Sequence, residues 1–115
     1  MANIGGNITG IIQTNTTTKN DIGESVKAWV DAYSFRGWLG LQSGEKKYSS
    51  YYAKLEESSH VFVSDFHSGV YALAEQDTRM IIKGNVYDVL LIDNPDEMDE
   101  QLEIYLRKVG GNDGH

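Results

Sequence analysis

The chain has 115 residues, of which 40% are hydrophobic and 23% charged, which is the composition of a single folded domain with one core. Its formal net charge of -7 disfavours general binding to nucleic acids or anionic membranes. The absence of cysteine excludes disulfides, thiolate nucleophiles and cysteine-ligated zinc. Because no apolar run has membrane-spanning length and the start lacks signal-peptide features, we expect a soluble protein kept inside the cell that makes it.

The N-terminal segment is small, polar and rich in glycine, without hydrophobic periodicity. We therefore predict a flexible arm, or a strand that orders only against a partner, over residues 1–10, one domain over residues 11–109 and a flexible tail over residues 110–115. Within the domain, the first strand is expected to begin at Ile11. Threonines and turn-forming residues predict a mobile loop over residues 14–24.

Alternating apolar residues predict two adjacent strands, over residues 26–31 and 35–41. The side chains expected to point inward are Val26, Ala28, Val30, Phe35, Leu39 and Leu41. Gly37 and Gly40 predict a bend or a bulge in the second strand.

The period changes over residues 44–57, where tyrosines and a leucine recur at helical spacing among lysines and glutamates. We predict one helical or loop insertion there. If exposed, it would form a contact surface, because tyrosine offers a large area at small entropic cost. The residues predicted to contact partners are Lys46, Lys47, Tyr48, Tyr51, Tyr52 and Lys54. Strand patterns resume over residues 60–66 and 70–74.

Residues 77–92 predict a β-hairpin whose two-residue turn is Gly84-Asn85. That turn would place Ile82 opposite Tyr87 and Met80 opposite Val89. One face of the hairpin is then almost wholly apolar, and a slip of one residue would move charged side chains into it. The predicted core residues of the hairpin are Met80, Ile82, Tyr87, Val89 and Leu91.

The C-terminal segment carries two conflicting patterns. Asn94 and Pro95, followed by acidic residues and by apolar residues at helical spacing, favour a helix. Residues 101–107, however, alternate strictly and include strand-favouring residues. Taken alone, the local signals favour a helix slightly over a strand in the C-terminal segment.

Candidate chemistry is sparse in this sequence. His60, Asp65 and His67 could suggest a metal site, but His60 and Asp65 would point to opposite faces of a strand, which favours solvated or turn-capping roles. No phosphate-binding loop precedes a helix, and no serine lies on a nucleophile elbow. Seven acids between Val86 and Tyr105 favour a solvated acidic surface over a calcium loop. We predict no catalytic, cofactor-binding or metal site and no enzymatic activity.

The order of these elements resembles that of small phage head-tail joining proteins, the head-closure or head-completion family. The resemblance covers about residues 13–108. It is carried by the segments Lys27-Ala28-Trp29-Val30, Leu41-Gln42-Ser43-Gly44-Glu45, Lys47-Tyr48-Ser49-Ser50-Tyr51-Tyr52, His60-Val61-Phe62-Val63, Asp77-Thr78-Arg79-Met80-Ile81, Gly84-Asn85-Val86-Tyr87-Asp88-Val89 and Leu102-Glu103-Ile104.

The resemblance implies a small antiparallel β-barrel with an insertion at residues 44–57, and a strand rather than a helix at the C-terminus. It also implies a structural protein of the virion neck, assembled from the host cytoplasm as a dodecameric ring beneath the portal. Such a ring extends and closes the DNA channel of the filled head, contacts portal or adaptor and tail proteins, and lets double-stranded DNA pass without specific binding.

Two other functions remain open on the sequence. One is a tail-completion or tail-terminator protein, which shares the plan of a small barrel in a ring. The other, from a different class, is an acidic DNA mimic that inhibits a nucleic-acid enzyme. A mimic would spread its acids along one face, whereas here they concentrate after Val86 and lysines occur together at Lys46 and Lys47.

Overall fold

The computed structural model describes residues 4–41 and 58–110. Within them, six antiparallel strands close into one barrel in the order β1-β2-β3-β6-β5-β4, which confirms the predicted mainly β class. The strands are β1, Ile8–Lys19; β2, Ser25–Leu41; β3, His60–Asp65; β4, Thr78–Ile82; β5, Asn85–Asp93; and β6, Gln101–Gly110. A one-turn helix, Ser68–Tyr71, and two 3-10 turns, Glu75–Asp77 and Pro95–Glu97, lie in the connections. The insertion predicted over residues 44–57 lies outside the described residues.

The first strand is longer than predicted. It begins at Ile8, inside the predicted arm, and continues to Lys19 through most of the predicted loop. The threonines of residues 14–18 are β-branched, and β-branched residues favour strands. The loop is shortened to residues 20–24, where the Asn20 carboxamide accepts hydrogen bonds from the backbone N–H groups of Ile22 and Glu24 at 3.1 and 2.9 Å.

The two strands predicted over residues 26–41 are one continuous strand, β2. Ile12 pairs with Tyr33 but Gln13 pairs with Asp31, so Ala32 is an extra residue that forms a bulge. The bulge predicted near Gly37 and Gly40 is therefore in the wrong place. Because one extra residue reverses the alternation, Val30 and Tyr33 lie on the same face of the strand despite their odd spacing.

The central hairpin has a different turn from the predicted one. Ile82 pairs with Asn85 and Met80 with Tyr87, so the loop is Lys83-Gly84 and the predicted register is wrong by two residues. Both loop residues have positive φ, 52° and 80°, as a type I′ turn requires. A shift of two residues preserves the inward face, because side chains alternate with a period of two.

A second bulge lies in β5, where the pairing with β6 shifts between Val89 and Leu91. Val89 and Ile92 are consequently both buried, at 4% and 6% exposure, while Leu91 points outward and is half-buried. The inward position predicted for Leu91 is therefore wrong. The position of such an extra residue cannot be predicted from the local alternation of apolar and polar residues.

The strand predicted over residues 70–74 is also wrong, because the one-turn helix Ser68–Tyr71 includes the first two of these residues and no strand follows it before Thr78. The Nδ1 atom of His67 accepts a hydrogen bond from the backbone N–H of Val70, so His67 caps the turn. Val70 is fully buried beneath the barrel end. The strand predicted from His60 onward is confirmed as β3.

The C-terminal conflict is resolved in favour of a strand, β6, as the resemblance implied. Asn94 does not cap a helix: its carboxamide bonds both the side chain and the backbone N–H of Asp99, at 2.7 and 3.1 Å. Asp96, Glu97 and Asp99 all have positive φ, which is incompatible with an α-helix. Pairing with β3 and β5 then places alternate residues of β6 in the core.

The core fills the barrel between these strands. Its buried apolar residues among the described positions are Ile12, Phe62, Val70, Met80, Ile82, Tyr87, Val89, Ile92, Leu102, Ile104 and Leu106. Two glycines keep the wall close to this core. A Cβ at Gly37 would collide with the Val63 carbonyl oxygen and the Phe62 ring, and a Cβ at Gly10 would collide with Met80.

Candidate assembly surface

The β1–β2 hairpin continues well beyond the end of the barrel. Pairing of β1 with β4 stops at Thr14, and pairing of β2 with β3 covers only Trp38 to Leu41. Residues 15–30 therefore form a two-stranded ribbon, which we call the hairpin extension. A ribbon of two strands is marginally stable alone in water, because it has no second layer to cover it.

One face of the hairpin extension continues the inner face of the barrel wall. Starting from Ile12, which is fully buried, every second residue of β1 lies on this side. The inner face of the extension begins at its base with the pair of Thr14, the last β1 residue paired with β4, and Val30, and it continues with Thr16 and Thr18, paired with Ala28 and Val26. Val26 and Val30 are 39% and 43% exposed. Val26, Ala28 and Val30 do lie on one face, as their alternation predicts. This part of the face extends beyond the core, so these side chains are not buried.

The opposite face of the extension is polar and is anchored at its base. The Arg79 guanidinium lies 4.5 Å from the centre of the Trp29 ring, and its Nε donates to the Gln13 side chain at 2.8 Å. Gln13 in turn donates to Asp31 at 2.7 Å. These contacts tie the extension to β4, so its inner face is held in a defined position.

A second apolar surface lies on the outside of the barrel, across β2, β3, β6 and β5. The pairs Trp38–Val63, Val61–Tyr105 and Tyr105–Leu91 place these side chains next to one another on the outward side. We call this surface the outer strip; it consists of Trp38, Val61, Val63, Leu91 and Tyr105. Trp38 is 47% exposed, and the other four are half-buried.

Gly40 lies at the edge of the outer strip, opposite Val61. A Cβ added there would meet only the Val61 side chain, at 4.0 Å, so nothing in the described part of this chain requires glycine. Gly37 and Gly10 differ, because their missing side chains make room for the core. A glycine within a strand weakens it, and it often marks a place where another backbone approaches closely.

The N-terminal segment covers the gap between β2 and β3 where these two strands are not paired. Beyond the Trp38–Val63 pair, β2 and β3 separate, and residues 4–7, the N-terminal strap, lie across the opening. The Asp65 carboxylate accepts hydrogen bonds from the backbone N–H groups of Ile4 and Gly5, at 2.5 and 3.3 Å. The Trp38 indole donates to the Ile4 carbonyl at 3.0 Å. The strap thereby fixes the orientation of the most exposed side chain of the outer strip.

Two side chains of the barrel wall, His60 and Tyr87, have shifted pKa values. Burial, and to a smaller extent the charge of Lys108, lowers the pKa of His60. The Nδ1 atom of His60 lies 2.8 Å from the Ser59 hydroxyl oxygen. Burial raises the pKa of Tyr87, although a hydrogen bond with Asn85 acts in the opposite direction. The two side chains contact each other, because the His60 and Tyr87 rings pack edge to face with their centroids 5.1 Å apart. Their environment is therefore that of packed side chains rather than of a catalytic site.

The candidate metal residues do not converge. Asp65 binds the strap, His67 caps the one-turn helix, and His60 packs on Tyr87. Across residues 4–41 and 58–110, no three histidine or acidic side chains form a group that could hold a metal ion. The exposed acids of the β5–β6 connection are Asp96, Glu97, Asp99 and Glu100. In the same part of the chain, no helix has the length and apolar character needed to cross a membrane.

The residues predicted from the sequence fall into two groups. Lys46, Lys47, Tyr48, Tyr51, Tyr52 and Lys54 lie outside the described residues, so their contact role stays a prediction. In the hairpin set, Met80, Ile82, Tyr87 and Val89 lie in the core cluster, while Leu91 lies on the outer strip.

Sequence reasoning missed both uncovered surfaces. The alternation at Val26, Ala28 and Val30 contained the signal for the inner face of the extension, but it was interpreted as ordinary core. The outer strip had a weaker signal, because its residues come from four strands and only the pairing brings them together. The barrel thus leaves Val26, Val30 and Trp38 39%, 43% and 47% exposed, and clustered exposed apolar groups are typical of contact sites.

Comparison with known proteins identifies the class. Residues 10–109 match the family described as phage head completion protein, and the chain belongs to that family. Its role is structural, in completion of the phage head, which makes it a component of the virion that contacts other head or tail proteins. No curated protein matches the sequence.

One solved structure supports the fold. Protein SF1141 from Shigella flexneri 2a, determined in solution, superposes with a TM-score of 0.65 at 19% sequence identity, covering 94% of this chain and 96% of that one. A likeness at this identity concerns the fold alone.

Proposed function

We propose that this protein joins beneath the portal of the filled head as a ring, extends and closes the DNA channel, and provides the surface on which the tail docks. The observation that carries the proposal is the family match over residues 10–109, on a barrel that leaves two sheet surfaces uncovered. A ring of copies needs each copy to contact two neighbours, and two separate surfaces meet that need.

The charge of the protein suits a channel that DNA must traverse. The net charge of -7 repels phosphate, so the wall of such a ring would not grip the passing duplex. Among the described acids, Asp96, Glu97, Asp99 and Glu100 of the β5–β6 connection are exposed. The paired Asp88 and Arg107, at 3.0 Å, form a surface ion pair on the barrel wall and contribute little net charge there.

In this proposal, the insertion over residues 44–57 and the loop end of the hairpin extension are assembly surfaces. In the insertion, Tyr51 and Tyr52 contribute contact area to neighbouring rings, together with Lys46, Lys47, Tyr48 and Lys54. Ile22 lies at the tip of the extension and is 78% exposed, so its side chain is available for contact with a partner.

The proposal is tested by joining in vitro. DNA-filled heads produced without this protein are mixed with purified protein and separately produced tails, and infectious particles are counted. The wild-type chain should restore joining. The double variant Tyr51→Ser, Tyr52→Ser should melt at the same temperature as the wild type and fail to join heads to tails.

A matched control uses a tyrosine outside the proposed surface. Tyr71, in the one-turn helix, is 40% exposed, and Tyr71→Ser should keep joining intact. If the wild-type protein bound neither heads nor tails and did not restore infectivity, the proposed function would be wrong. If the double variant melted far below the wild type, Tyr51 and Tyr52 would be core residues rather than contact residues.

A further inference from the structure

The inner face of the hairpin extension is built as a surface to be covered. The side chains on this face are β-branched or small on both strands, and they lie in register with one another. None of the residues on this face from Thr14 to Thr18, or from Val26 to Val30, is charged. The charged residue Lys27 and the aromatic residue Trp29 lie on the opposite face. Among the described residues, Val26 and Val30 remain 39% and 43% exposed.

The outer strip has the complementary character. Its apolar side chains are neighbours on the outward side of paired strands, and the adjacent polar group, Glu103, has its hydrogen-bond partners within the chain. Glu103 accepts hydrogen bonds from the Tyr105 hydroxyl at 2.8 Å and from the Gln101 carboxamide at 3.0 Å. Covering the strip would therefore leave this carboxylate with its partners.

Gly40 gives an independent reason to expect a close approach at the strip. The described fold has room for a side chain there, yet the position has none. A second sheet packing face to face would lie about 10 Å away, and a smooth patch at Gly40 allows its side chains to reach the wall.

From these three observations we propose that the inner face of the extension of one copy packs on the outer strip of a second copy of this chain. The inference rests on the proposed ring, because it names the contact between ring neighbours. The two surfaces do not overlap, so each copy can give its extension to one neighbour and receive that of another. A head-to-tail contact of this kind repeats until the ring closes, whereas packing of two extensions against each other would stop at a dimer.

The contact is small. The inner face of the extension supplies about six side chains, against roughly 20–30 residues per partner in a stable interface. The contact is therefore weak between free copies and becomes stable when a portal holds the copies side by side, which raises their effective concentration.

Disulfide trapping tests the contact, because the natural sequence contains no cysteine. Val26→Cys on one copy and Gly40→Cys on another should form a disulfide-linked dimer under mild oxidation at high protein concentration. The control pair is Lys27→Cys with Gly40→Cys, since Lys27 is the adjacent residue on the polar face. The first pair should give at least a tenfold higher yield, and one chain carrying both Val26→Cys and Gly40→Cys should give a ladder of covalent oligomers.

Equal yields from the two pairs would overturn the proposal, as would Val26→Cys forming mainly dimers with itself. A second measurement separates this proposal from the proposed function. The doubly substituted chain is added to purified portal and its complexes are imaged before and after oxidation. A ring on the portal without the Val26–Gly40 disulfide would overturn the contact alone, whereas the disulfide without binding to the portal would overturn the proposed function alone. The absence of both would overturn both.

Discussion

Replacement of Val89 by aspartate should unfold the barrel at neutral pH. Val89 is 4% exposed, on the inward side of β5, and pairs with Leu106 of β6. Loss of a buried aliphatic side chain costs about 1.5–3 kcal/mol. A carboxyl group forced into that position would have its pKa raised by about 3–5 units, which adds about 4–7 kcal/mol at neutral pH. The sum is comparable with the whole stability of a small domain, about 5–15 kcal/mol.

The matched control is Leu91→Asp, two residues further along the same strand. Because the bulge turns Leu91 onto the outer strip, that substitution should cost only about 1–2 kcal/mol. Urea unfolding followed by circular dichroism would measure both. The Val89→Asp variant should also be less destabilised near pH 4 than at pH 7, since a carboxyl with a raised pKa in the folded state is penalised only above its unfolded pKa of about 3.9. Equal destabilisation by the two substitutions would show that the assigned bulge is wrong.

Three further outcomes are expected. Gly40→Val should leave the isolated domain as stable or raise its free energy of unfolding by about 0.5–1 kcal/mol, while it blocks joining; a lower melting temperature would mean that the chain's own fold requires this glycine. Because the pKa of His60 is lowered in the folded protein, stability should fall as pH drops below about 6.5, and His60→Gln should remove that loss in a pH series of thermal melts; an unchanged pH profile would contradict the assignment to His60. Sedimentation of the free protein at micromolar concentration should show a monomer or a weak oligomer, and a stable large ring would count against a contact that needs the portal.

Much of the fold followed from the sequence because alternation and turn chemistry act locally. The hairpin faces at Met80 and Tyr87 were predicted correctly even though the turn was not, since a shift of two residues preserves both faces. The strand β6 was predicted only with the help of the family resemblance. Its local helix signal failed because Asn94 bonds Asp99, which draws the chain into a left-handed turn instead of a helix.

The errors share a physical cause. The bulges at Ala32 and in β5 add one residue to a strand, and their positions depend on how the partner strand pairs, which local alternation does not reveal. The inner face of the extension was assigned to the core because alternation alone does not distinguish a face inside the core from its continuation beyond the core. The outer strip depends on the order of strands around the barrel and could not be assembled from separate segments.

The most direct test of the account is electron cryomicroscopy of this protein mixed with the portal protein of its phage. The account predicts a ring of copies beneath the portal, in which each hairpin extension lies against the outer strip of the next copy and the channel continues through the ring. A portal that remained bare at saturating protein, or copies bound singly at unrelated sites, would contradict it.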